Sequence, residues 1–89
     1  MIAFEDIDDV EAWLAPLDYD AFWDAIAPWA VFDREDRAHF DGVIARGVTS
    51  EETVLTCLKA AVRLELTARF GLKDRVYEPV ERQYLRRTH

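Results

Sequence analysis
Residues 49–71 read TSEETVLTCLKAAVRLELTARFG, and this stretch decides the fold. Thr49 and Glu52 have the spacing of a capping box, in which a hydroxyl accepts an orphan N–H at N3 and the Glu reaches back. Glu51 and Glu52 put negative charge at the positive end of the helix dipole. Gly71 can take the left-handed conformation that ends a helix. The span predicts a helix over roughly residues 50–70. Val54, Leu55, Leu58, Ala61, Val62, Leu64, Leu66 and Ala68 cover more than half of its circumference, so burial against several partners is expected. Thr56, Lys59, Arg63 and Thr67 form the strip expected to face water.

Two charges fall on the apolar side. Glu65 and Arg69 are four residues apart with the acid first, the favourable order for a helical pair. They read either as a rim ion pair whose stems snorkel outward or as a polar pair facing a groove. Cys57 lies mid-helix toward the apolar side and reads as a small core residue.

Around this helix the chain supplies shorter elements. Asp6 with Asp9 at N3 starts a helix, Ile7, Val10, Leu14 and Leu17 recur at helical spacing, and Pro16 ends it near Leu14 or Ala15. Asp18 or Asp20 caps a second, with Tyr19, Phe22, Trp23 and Ile26 on its apolar side and Pro28 at its close. Residues 29–32 follow without charge, as a short helical turn or ordered loop. Asp33 caps a third helix, edged by Phe40, Val43 and Ile44, supported by Asp33/Arg37 and Arg37/Asp41 pairs, and stopped by Gly47. Val76, Val80 and Tyr84 step by four and predict a last helix starting near Tyr77 or Glu78, with residues from about 86 frayed. The expected architecture is an all-α, single-domain bundle of about five helices, residues 1–89, around the long central one.

Eighty-nine residues with 51% hydrophobic content and eleven aromatics suit one modest packed core. Three glycines and three prolines are too few for a turn-rich β protein. A single cysteine cannot form an intrachain disulfide. The first residues, Met1-Ile2-Ala3-Phe4, run directly into Glu5 and Asp6, unlike a signal peptide. No uncharged run is long enough to span a bilayer. The expectation is a cytoplasmic protein without a membrane partner.

Charge is unevenly placed. Residues 1–41 hold twelve acids against Arg34 and Arg37, a net of −10, whereas residues 42–89 hold nine bases against six acids, a net of +3. An acidic half repels phosphate backbones and attracts basic protein surfaces, although acids also serve as helix caps and solubilising charge. Asp8, Asp9, Glu11, Asp20 and Asp24 are the candidate partner-binding acids. Trp13 and Trp29 are candidate interface aromatics, with core filling as the competing role.

The usual chemistry-bearing patterns are missing from the sequence. Two histidines and one cysteine, far apart, do not form a zinc pattern. The Asp-rich runs lack the central Gly and terminal Glu of a calcium loop, and no phosphate-cradling Gly-rich loop is present. No metal, cofactor or catalytic residue is therefore expected. Residues 43–58, VIARGVTSEETVLTCL, have the cadence of a DNA-reading helix-turn-helix. Its second helix opens with two glutamates and its turn is one residue long of the usual pattern, so direct nucleic-acid binding is not expected.

These features point to a non-catalytic protein-binding protein. The sharpest form is a small acidic inhibitor that occupies a basic, nucleic-acid-binding surface of a larger protein, by analogy of size and charge with phage anti-restriction and anti-CRISPR proteins. Neutralising Asp8, Asp9, Asp20 and Asp24 together is then expected to weaken the complex. The alternatives are a self-associating structural or adaptor bundle, whose acidic half meets the basic half of a neighbour, and a small-molecule site or enzyme built around Glu65 and Arg69.

Overall fold
A computed structural model describes residues 4–72. Four α-helices and one 3-10 turn follow in order: α1 (Ile7–Leu14), α2 (Tyr19–Ile26), a 3-10 turn (Ala27–Trp29), α3 (Arg34–Ala45) and α4 (Glu51–Phe70). No strand occurs among the described residues. The fifth helix expected after residue 76 lies outside them.

Each helix starts on a side chain that satisfies an orphan backbone N–H. Asp6 and Asp33 accept from the N–H groups of Asp9 and Asp36, and both N3 aspartates reach back, giving two all-aspartate capping boxes. Asp18 accepts from Ala21 N–H. On α4 the cap is Ser50, not Thr49: Ser50 is in extended conformation and its Oγ accepts from Thr53 N–H at 3.1 Å, so the helix begins one residue later than the Thr49/Glu52 spacing predicts. Two helices end on a left-handed glycine. At Gly47 (φ 72°) and Gly71 (φ 61°) the next residue's N–H returns to the carbonyl five positions back, Val48 to Val43 and Leu72 to Thr67. This is the Schellman closure, and a Cβ at either glycine would strain it. Pro28 sits in the 3-10 turn, and Ala30 (φ 53°) takes the chain out of it toward α3.

The core is one cluster. α4 contributes Val54, Leu58, Val62 and Leu66, a single ridge at four-residue spacing. Against it lie Val10 and Leu14 of α1, all four apolar residues of α2, Trp29 and Phe4. α1 lies along α4 most extensively, and α3 covers the edge without burying any side chain completely. The aromatics divide into two groups. Phe4 meets Trp13 and Trp29 with ring centroids 5.3 Å apart and Phe70 at 6.1 Å. Trp23 is the hub of the other, touching Tyr19, Phe22, Phe32 and Phe40.

Two expectations for α4 are corrected. Cys57, Ala61, Leu64 and Ala68 are exposed, not part of the core. Lys59 and Arg63, expected to face open water, lie half-buried beside α1. The reason is in α1: Glu11 accepts from Arg63 Nε at 2.8 Å, and Ala15, whose carbonyl is left over at the helix end, accepts from Lys59 Nζ at 3.3 Å. α1 has no basic residue in its own last turn. α4 supplies the cation that the negative end of the α1 dipole attracts, while the alkyl stems of both side chains cover apolar surface.

Candidate protein-binding surface
The acidic residues separate by what they touch. Asp6, Asp9, Asp18, Asp33 and Asp36 hold helix N-termini. Glu11 is paired with Arg63. Asp20 and Asp41 are both joined to Arg37, at 2.9 and 3.8 Å. Asp24, Glu51 and Glu52 are exposed and make no ion pair among the described residues. Asp8 is also exposed.

Of the candidate acids, Asp8, Asp9, Glu11, Asp20 and Asp24 all reach the surface. Three of them also have a structural task, Glu11 through its pair with Arg63 and the other two as follows. Asp9 Oδ2 accepts from the N–H groups of Glu5 and Asp6. Asp20 joins α2 to α3 through Arg37, a pairing seventeen residues apart in sequence. The expected Asp33/Arg37 pair gives way to it: Asp33 spends its carboxylate on the helix cap while Arg37 turns to Asp20 and Asp41 and lies 5.9 Å from the Trp23 ring centroid. Both candidate tryptophans pack among other rings. Trp29 is buried, and Trp13 is partly covered by Phe4 and Trp29.

An open cleft of about 340 Å³ lies between the starts of α2 and α4. Asp18, Asp20, Glu51 and Glu52 line it with carboxylates, and Tyr19 and Leu55 give it apolar surface. Sequence reasoning identified Glu51 and Glu52 only as helix-start charges. Nothing in local spacing shows that the first turn of α4 meets the first turn of α2, because that depends on the packing of both helices on the shared core. Tyr19 is fixed at the base of the arrangement. Its hydroxyl donates to Asp41 Oδ1 at 2.7 Å, and burial, followed by this hydrogen bond, pushes its pKa up to about 12. The chain Tyr19–Asp41–Arg37–Asp20 thus sets the position of Asp20 at the cleft edge.

Glu65 and Arg69 pair at 3.1 Å with both side chains well exposed, and neither lines the cleft. Arg69 also donates from Nη1 to the Trp29 carbonyl, tying the last turn of α4 to the 3-10 turn. Because that second bond survives, Glu65→Ala is expected to cost under about 0.5 kcal/mol. Arg69→Ala, which strips the carbonyl of its donor, is expected to cost about 1 kcal/mol. Urea denaturation of the two variants checks the order, and equal costs would mean that the Trp29 contact stabilises nothing.

No group of three or more His, Cys, Asp and Glu residues among those described could hold a metal ion. No described helix is long and apolar enough to cross a membrane. No family model, curated protein or solved structure matches this chain.

Proposed function
We propose that the protein is a non-catalytic binding module that seats a basic surface of a larger protein against its acidic side. The observation that carries this reading is the cleft in which four carboxylates from two separate helix starts surround apolar Leu55 and Tyr19. Such a lining suits a Lys or Arg side chain, whose cation meets carboxylate while its alkyl stem lies on apolar surface. A basic surface that normally binds nucleic acid is the partner class proposed, since the carboxylates gathered from two helix starts offer it the concentrated negative charge that phosphates would. An inhibitor of such a protein is the concrete form of the proposal. The same acids weigh against direct DNA binding, because α4 opens on exposed Glu51 and Glu52 where a recognition helix would meet phosphates.

The structure changes which residues test this. Neutralising Asp9 or Asp20 would also disturb a helix cap or the α2–α3 tie. The informative variant is Asp24→Asn/Glu51→Gln/Glu52→Gln, which removes only charges with no ion pair among the described residues. A basic protein retained from the native host and identified should bind this variant about tenfold or more weakly than wild type, with a steep loss as salt rises. Unchanged affinity would end the acidic-docking reading. Sedimentation at two concentrations separates it from self-association: a salt-sensitive oligomer supports the assembly alternative.

A further inference from the structure
α4 has two apolar faces and the core uses one. Cys57, Ala60, Ala61, Leu64 and Ala68 form the other, all exposed, with Leu64 at 70%. At 100° per residue they occupy about 100° of the helix surface, and no charge interrupts them. We propose that residues 73–89 of this same chain dock along that face.

Four features favour this occupant over a second copy. The Schellman turn at Gly71 breaks the line of α4 and lets the chain return along it. Seventeen residues follow Leu72, enough for about 25 Å even if wholly helical, while Cys57 to Ala68 spans about 17 Å. Val76, Val80 and Tyr84 supply an apolar row at four-residue spacing, and their larger side chains complement the alanines opposite. Charge points the same way: residues 4–72 carry fifteen acids against six bases, whereas residues 73–89 carry five bases against three acids. A second copy would bring another strongly acidic body, but the tail is attracted and is tethered at an effective concentration of order millimolar.

The sole thiol reports on the face directly, because Cys57 lies within it. A second reporter is Leu64→Cys in a Cys57→Ala background. In the full-length protein, both thiols should react with an aromatic disulfide reagent about tenfold or more slowly than in the urea-unfolded chain, at a rate independent of protein concentration. Val80→Asp, and separately Tyr84→Asp, should restore fast reaction while the far-ultraviolet circular dichroism of the helical core persists. Three results would overturn the proposal: full reactivity in the unsubstituted tail, protection that grows with protein concentration, which assigns the face to a second copy, or protection indifferent to both tail substitutions.

Discussion

Phe22→Ala is expected to remove about half of the protein's folding stability. Phe22 is fully buried at the centre of the core cluster, edge-on to Trp23 at 5.4 Å. Removing an aromatic ring from such a site costs about 3–5 kcal/mol, the transfer energy of the lost atoms plus the cavity they leave. A domain of this size has a total stability of about 5–10 kcal/mol, so the loss consumes much of it. The melting temperature should fall by about 15 °C or more. Val43→Ala is the control. Val43 is on α3, where no side chain is fully buried, and Ala is the better helix former, so its cost should stay within about 1 kcal/mol. Thermal denaturation of the two variants checks the placement of the core, and a Val43 effect as large as that of Phe22 would contradict it.

The ends of the helices were legible in the sequence because they are governed by chemistry within a few residues. Asp6 with Asp9 and the cap Asp33 follow from side-chain reach to the nearest free N–H, as does Asp18, one of the two candidates with Asp20, and Gly47 and Gly71 follow from the left-handed backbone that the turn requires. Even there, Thr49 and Ser50 offer the same hydroxyl one residue apart, and only the backbone conformation decides for Ser50. The apolar rows of α1 and α2 were legible for a related reason: each of these eight-residue helices has one apolar side.

α4 shows where local reading ends. Its circumference is mostly apolar, so the hydrophobic pattern permits several orientations and cannot say which face the other helices take. The choice falls to long-range pairing: Glu11 with Arg63, Ala15 with Lys59, and Trp29 with Arg69 hold the Val54–Leu66 ridge inward. Those partners are between forty and fifty-two residues apart in sequence. The acidic cleft is a consequence of the same orientation, since turning α4 about its axis would carry Glu51, Glu52 and Leu55 away from Asp18 and Asp20. A candidate surface built in this way has no signature in residue spacing, only in the fold.

Alkaline pH should destabilise the wild-type protein through Tyr19, and Tyr19→Phe should remove that component. The folded state holds the phenol neutral, with its pKa pushed up to about 12 by burial and by the bond to Asp41, against about 10 in the unfolded chain. A group whose pKa is raised on folding contributes stability that is complete below the unfolded value and disappears as pH climbs through the folded one. The window is therefore pH 10 to 12, and the stability at stake is on the order of 2–3 kcal/mol. At neutral pH the phenylalanine variant should be the weaker protein by about 1 kcal/mol, the net loss of one hydrogen bond, with Arg37 still facing Asp41. Above pH 10 the order should reverse, because wild type then ionises or unfolds while the variant has nothing at that position to titrate. Every other group is common to both proteins and cancels in the difference. Urea denaturation at intervals from pH 8 to 12 should show two stability curves that converge and cross. A constant gap across that range would mean that the Tyr19 hydroxyl is open to water and unbonded, and with it would go the network that positions Asp20 at the acidic cleft.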